Sequence, residues 1–282
     1  MNILITGSTG FIGANLVPLL LAHRHTVTAL VRNAERAADM PWANQVRFIV
    51  WDIGQDIAPV LEKIGAPDAV IHLAWAGLPN YKALFHFEQN LPAHYRFLKS
   101  LVEQGVGQVL VTGTCFEYGM QNGCLSEQMP AQPENSYALA KDTLRRFLQA
   151  LQQEHNFTLQ WARLFYIYGP GQSSNSLLAQ LDRALNNGEK SFNMSNGEQL
   201  RDYLAVEEVA RRLLLLLEHS ECNGLVNVCS GEPISVRRLV EHHIQKRGAS
   251  IALNFGYYPY PDYEPMAFWG DHRRIAQLEK SI

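Results

Sequence analysis

Residues 2–16 read NILITGSTGFIGANL, and this stretch decides the fold. Ile3, Leu4 and Ile5 form an apolar run, and glycines follow at Gly7, Gly10 and Gly13 with Ser8 and Thr9 between them. The pattern predicts a buried strand over Asn2–Thr6, a tight turn, and an amphipathic helix over Phe11–His23. Such a turn aims the first N–H groups of the helix at whatever rests on it. Unpaired donors and the helix dipole both favour negative charge, so phosphate is the natural occupant. Glycine lets a backbone come close, and Gly13 lets the helix pack tightly. A glycine-rich turn without a ligand is the plain alternative. The strand–turn–helix setting favours a dinucleotide.

Working outward, the same alternation continues. Strands are predicted at Thr26–Val31, Arg47–Trp51, Ala69–Leu73, Gln108–Thr112 and Leu159–Leu164, and helices at Ala83–Gln104 and Tyr137–Glu154. Strand and helix in repetition imply a doubly wound α/β fold with a parallel sheet covered on both faces. The nearly all-apolar strands agree with burial on both sides. After residue 168 the texture changes: GPGQSSNS (169–176) and NMSNGEQ (193–199) are loop-like. A helix over Glu207–His219, a strand over Leu225–Cys229, a helix over Val236–Lys246 and the stretch YYPYPDYEP (257–265) follow. We read residues 1–168 as mainly a dinucleotide-binding domain. Residues 169–282 read as mainly a small substrate-binding cap on the C-terminal strand edges, with segments returning to the sheet.

The totals narrow the class. Of 282 residues 47% are hydrophobic, enough for a sizeable core, and the formal charge is −3. No basic face suggests a nucleic-acid partner. Cys115, Cys124, Cys222 and Cys229 lack a paired spacing and read as thiols of a reducing compartment, without disulfide or metal. There is no basic-then-apolar leader and no apolar stretch of spanning length; Leu213–Leu217 reads as a buried helix core. The expectation is a soluble cytoplasmic protein.

Two further stretches carry chemistry. SYALAK (136–141) places Tyr137 and Lys141 four apart, on one helix face. An ammonium near a phenol favours phenolate, so such a tyrosine can trade protons near neutral pH. VLVTGTCFEYG (109–119) follows a strand and ends in Tyr118-Gly119. With TGSTGFIG (6–13) these stretches resemble the extended branch of the short-chain dehydrogenase/reductase superfamily, the NAD-dependent epimerase/dehydratase family. The likeness continues through HLAWAG (72–77), ARLFYIYGPGQ (162–172), GEQLRDYLAVEEVA (197–210) and NVCSGEPISV (227–236).

The resemblance implies a catalytic set of Thr114, Tyr137 and Lys141. It implies cofactor contacts from Gly7, Thr9, Gly10, Phe11, Ile12, Gly13, Asp52, Ile53, Leu73, Ala74, Tyr137 and Lys141. The second strand ends TALVRN (28–33), where NAD-binding folds place an acid on the ribose 2′-hydroxyl. Val31 stands there and Arg32 follows; an arginine pairs with a 2′-phosphate, which favours NADP(H) over NAD. A solvated Arg32 is the alternative.

The family holds epimerases, dehydratases and ketoreductases. The dehydratases carry Asp-Glu directly after the catalytic threonine; here Cys115-Phe116 stand there, and Glu117 lies one place too late. The 3,5-epimerase-reductases use a cysteine two residues after the hydroxyl; here Phe116 fills that place and Cys115 reads as a packed thiol. Two readings need only Thr114, Tyr137 and Lys141. The first is NADPH-dependent reduction of a nucleotide-linked 4-keto-6-deoxyhexose, the reading of bacterial deoxysugar synthases of surface polysaccharide. The second is C4 epimerisation with retained NAD. A non-catalytic NADP sensor is the alternative of another class.

On the substrate side the resemblance implies Thr114, Tyr137, Tyr166, Asn175 and Arg201, the last two toward the diphosphate. Arg273 or Arg274 is a candidate for a further diphosphate arginine, and Trp75 and Tyr81 for pocket walls. Helices 83–104 and 137–154 imply a homodimer through a four-helix bundle.

Overall fold

A computed structural model describes residues 1–280. In chain order the strands are β1 (Asn2–Thr6), β2 (Thr26–Val31), β3 (Arg47–Val50), β4 (Ala69–His72), β5 (Gln108–Thr114), β6 (Gly123–Leu125) and β7 (Thr158–Leu164). They continue with β8 (Tyr166–Tyr168), β9 (Ser191–Asn193), β10 (Leu200–Ala205), β11 (Gly224–Val228), β12 (Pro233–Ser235), β13 (Ala252–Asn254) and β14 (Phe268–Gly270). The helices are α1 (Phe11–Ala22), α2 (Ala34–Ala38), α3 (Ala58–Ile64), α4 (Leu91–Glu103) and α5 (Ser136–Leu151). After them come α6 (Leu177–Asn186), α7 (Val206–Glu218), α8 (Val236–Lys246) and α9 (Arg273–Glu279).

Seven strands form one parallel sheet in the order β11-β7-β5-β4-β1-β2-β3. The chain reverses its direction of travel across the sheet between β1 and β4. That switch point opens the crevice where such sheets bind ligands. One face of the sheet is covered by α1 and α7, with Leu16, Leu20, Leu213 and Ile275 in a common core. The other face packs Val60, Phe97, Leu98, Leu144 and Leu148 from α3, α4 and α5 onto Trp161. All of Leu213–Leu217 are buried, which accounts for the leucine run. No described helix is long and apolar enough to cross a membrane.

One expectation changes. The predicted helix over 83–104 is interrupted: a π-turn occupies His86–Asn90, where the Leu91 N–H reaches back to the His86 carbonyl. Pro92 has no N–H to continue an α-ladder, so the register widens just before it. The strand expected at 225–229 is β11, which pairs parallel with β7 at the edge of the large sheet. The polypeptide therefore returns to the sheet after residue 205, through α7, β11 and α9. Outside it stand α6, α8, the β9–β13 pair and the β12-β10-β8 sheet, with Leu178, Leu181, Phe192 and Val240 as a separate small core.

Candidate active site

The first element of the site is the turn after β1. Gly7 has φ +74°, and a Cβ there would stand 2.9 Å from the Ala74 amide nitrogen. A Cβ on Gly13 would stand 2.3 Å from the Gly7 carbonyl oxygen and 2.6 Å from Ser8 Cα. Only glycine allows the turn, the start of α1 and the segment after β4 to lie this close. Gly10 is the N-cap of α1 and no side chain caps the helix. The first-turn amides at Phe11, Ile12 and Gly13 are thus left for an anion. A backbone cradle of this shape fits a dinucleotide pyrophosphate. Leu73 and Ala74 leave β4 beside it: Leu73 N donates to the Thr6 carbonyl, and Ala74 N to Thr6 Oγ1 at 3.2 Å.

At the far ends of β2 and β3 lie Arg32, which is exposed, and Asp52, whose carboxylate accepts from Gly54 N at 3.0 Å. Ile53 lines a separate groove with Trp51 and Phe97. Arg36, which sequence reading passed over, donates to the Thr9 carbonyl at 2.9 Å and so borders the glycine turn with its cation. Its position on the short helix α2 gives no pattern from which it could have been singled out.

Thr114 ends β5, and Tyr137 and Lys141 lie on the first turns of α5; all three are buried. Asn135 caps α5, its side chain accepting from Ala138 N at 2.9 Å. This fixes where the helix begins and therefore where Tyr137 points. Thr114 faces the Tyr137 phenol and favours its ionised form. Lys141 Nζ donates to the Thr112 carbonyl at 2.8 Å and sits 4.3 Å from the centre of the Trp75 ring. Burial pulls the Lys141 ammonium down to about 7, with Glu117 opposing. Burial, then the charges of Glu117, Tyr81 and Cys115, push the Tyr137 phenol up, and Thr114 opposes. The expected lowering of the phenol by Lys141 is absent from this balance, because burial leaves the amine neutral at the pH where the raised phenol would ionise.

These groups open on a cavity of about 480 Å³. Phe11, Ile12, Leu73, Thr114, Tyr137, Lys141, Tyr166 and Asn175 line it, so eight of the sequence-derived residues meet in one space. Trp75 and Tyr81 line it too, and Tyr81 stands against Tyr137 and Phe116 with ring centres 5.7 and 5.1 Å apart. Cys115 and Phe116 complete the wall beside Thr114; burial pushes the Cys115 thiol above its ordinary range. No Asp, Glu or His lines the cavity among the described residues. The Ser176 hydroxyl borders it without a hydrogen-bond partner, and Ser176 is the N-cap of α6 but does not cap it.

Arg201 is placed differently from expectation. It is 2% exposed, its Nη2 meets Glu264 at 2.8 Å, and it does not line the cavity. Its guanidinium lies 4.6 Å from the centre of the Phe268 ring. Arg273 pairs with Asp271, and Arg274 donates to the carbonyls of Leu225 and Asn223. Neither of these two reaches the cavity. Glu117, set aside in the sequence for lying one place late, is fully buried behind Thr114. The spacing Thr114-x-x-Glu117 is a capping-box pattern and was the available signal.

Comparison with known proteins agrees with this fold. The sequence profile of the NAD dependent epimerase/dehydratase family matches residues 3–229. A dTDP-6-deoxy-L-talose 4-dehydrogenase (NAD(+)) of Aggregatibacter actinomycetemcomitans is 29% identical over 274 residues, covering 96% of this chain and 99% of the relative. A GDP-6-deoxy-D-talose 4-dehydrogenase of the same organism is 27% identical over 245 residues, covering 86% of this chain and 78% of the relative. Among solved structures, MoeE5 in complex with UDP-glucuronic acid and NAD superposes with a TM-score of 0.84 at 25% identity, covering 99% of this chain and 92% of the other. The chain belongs to the NAD dependent epimerase/dehydratase family, the extended short-chain dehydrogenase/reductase type, and is an NAD(P)-dependent oxidoreductase.

Proposed function

We propose that this enzyme uses NADPH to reduce the C4 ketone of a nucleotide-linked 4-keto-6-deoxyhexose. One observation carries the reading: Thr114, Tyr137 and Lys141 meet at a cavity whose remaining wall, among the described residues, offers no carboxylate or imidazole. Elimination of water needs an acid and a base beyond the trio, and the cavity has none to give. The wall around the reacting hydroxyls is apolar and aromatic, from Cys115, Phe116, Tyr81, Leu78 and Pro79. Such a surface suits a methyl at C6 better than a charged group. Two relatives are named for oxidoreduction at C4 of a 6-deoxyhexose, the same bond change read in the other direction.

The nicotinamide, when bound, supplies the hydride; Gly7, Gly10, Gly13 and the start of α1 would hold its pyrophosphate. Arg32 and Arg36 would take the 2′-phosphate of NADPH. The chain's own residues do the rest. Tyr137 is held protonated by burial, the state needed to give a proton to an oxygen becoming an alkoxide. Thr114 fixes that oxygen beside the phenol, and Lys141 places a cation where ribose hydroxyls and a developing phenolate lie. Asn175, Ser176 and the uncapped start of α6 would receive the diphosphate. Positioning of ketone, phenol and hydride supplies much of the acceleration.

The test is incubation with NADPH and a panel of nucleotide-linked 4-keto-6-deoxyhexoses, following loss of the reduced nicotinamide's absorbance. Tyr137→Phe is expected to bind NADPH as before and to lose about 10²–10⁴-fold in kcat. Conversion of UDP-glucose without added nucleotide would instead support the C4 epimerase. NADPH binding without turnover on any sugar would support the sensor. We further propose a cytoplasmic homodimer joined through α4 and α5.

A further inference from the structure

The reacting hydroxyl is held from behind by a carboxylate that never reaches the cavity. Glu117 accepts from Thr114 N at 2.9 Å, from Trp161 Nε1 at 3.0 and 3.1 Å, and from Arg163 Nε at 2.7 Å. Thr114 Oγ1 in turn accepts from Phe116 N at 3.3 Å. β5 makes room for this through Gly113: a Cβ there would stand 2.1 Å from Trp161 Nε1 and 2.5 Å from Glu117 Oε1. The indole of Trp161 thus has the carboxylate at its N–H and the Lys141 ammonium 5.9 Å from its ring centre. Gly113, Glu117 and Trp161 are three separate choices of residue that put one negative charge beside a buried ammonium.

We propose that Glu117 is a positioning residue for the reaction: it clamps the Thr114 backbone so that the hydroxyl meets Tyr137, and it supplies the buried counter-charge for Lys141. The proposal rests on reading Thr114, Tyr137 and Lys141 as the reacting trio. Lys141 otherwise faces uncharged partners, Trp75 and the Thr112 carbonyl, while His72 of β4, His86 of the π-turn and His94 of α4 surround it. All three imidazoles are pushed toward their neutral forms, chiefly by burial. Tyr137 faces Glu117, Tyr81 and Cys115. Arg163 is paired with Glu117, has Asp142 at 3.9 Å, and stacks over Tyr118 at 4.3 Å. A neutral Lys141 would neither attract ribose hydroxyls nor steady a phenolate. Removing a nearby negative charge weakens proton binding at both Lys141 and Tyr137, so the sign of the effect is fixed.

The alternative is that Glu117 serves the fold alone, as cap and as partner of Arg163. The experiment is a pH titration of Lys141 by ¹³Cε-lysine NMR on the full-length protein, the resonance assigned by its loss in Lys141→Arg. Glu117→Gln removes the charge and keeps an acceptor for Thr114. It also leaves Arg163 without its partner and can fail to fold, so Glu117→Gln/Arg163→Gln is measured beside it. The Lys141 midpoint is expected to move to lower pH by about half a unit or more in the single variant, and by less in the double. An unchanged midpoint in the variants that fold overturns the proposal. With a keto sugar and NADPH, the alkaline limb of kcat is expected to move the same way and kcat to fall about tenfold, KM changing less than about twofold. A variant that loses melting temperature but keeps its pH profile also overturns it. If Tyr137→Phe stays active, the catalytic reading fails, while the NMR titration still decides the role of Glu117.

Discussion

Lys141 carries a cation into a site built from a carbonyl, an indole face and neutral imidazoles, and that burial has a cost that pH controls. An exposed lysine titrates near 10.5, and burial pulls this one down to about 7. Between those values the unfolded chain binds the proton and the folded chain does not. This group's contribution to stability is therefore fully present above about 10.5 and is lost as pH falls through about 7. Lys141→Met is expected to melt higher than the wild type at pH 6, with the gap closing toward pH 10. A melting difference that does not vary with pH would contradict this account. Arg32 and Arg36 belong to the same scale. Replacing both by alanine is expected to raise KM for NADPH by about 10–100-fold, the worth of charge-assisted hydrogen bonds to a phosphate. KM for NADH should change little. Equal losses for the two cofactors would remove the 2′-phosphate from the argument.

The junction between β1 and α1 is an element whose geometry allows a strong test. Gly13→Ala would put a methyl 2.3 Å from a backbone oxygen, where no flexible side chain can yield. We expect a melting loss of several degrees, and NADPH binding weakened at least tenfold, because the turn and the first helical amides move together. Unchanged binding measured by fluorescence titration would mean that the turn does not hold the cofactor. This junction was legible in sequence because all its determinants are local: an apolar run, glycines at fixed spacing, and a second, longer apolar run that forms the helix. Tyr137 and Lys141 were legible for the same reason, being one helical turn apart. The π-turn at His86–Asn90 was not, since the apolar spacing across 83–104 matches one helix and only Pro92 marks the break. The pairing of Arg201 was not legible because its partner Glu264 lies 63 residues away, in a stretch without periodicity. Ion pairs of that kind are decided by tertiary packing. Glu117 fell between these cases, local enough to be seen as a cap but visible as a buried charge only once Trp161 and Arg163 stood beside it.

At the scale of the whole molecule the two faces of the sheet are covered unequally. On one side α7 buries its five consecutive leucines against α1 and the strands. On the other, α5 buries Leu144 and Leu148 inward and leaves Leu139 and Phe147 outward, 46% and 43% exposed. Leu139, Thr143 and Phe147 recur every four residues and so form one stripe, which Tyr95 of α4 extends by packing on Phe147 at 5.1 Å between ring centres. A stripe on two adjacent helices can meet its own copy about a two-fold axis, each chain presenting the same patch. The same helix carries Tyr137 and Lys141 on its first turns, so a partner that stiffens α5 also stiffens the pair proposed to transfer the proton. We expect the protein to sediment as two chains, and Phe147→Glu to sediment as one, because a charge on this stripe would have to be buried without a partner. The single-chain form should melt lower and lose part of its kcat through a looser α5. Wild type sedimenting as one chain at micromolar concentration would rule the interface out, and would leave the exposed stripe as ordinary surface.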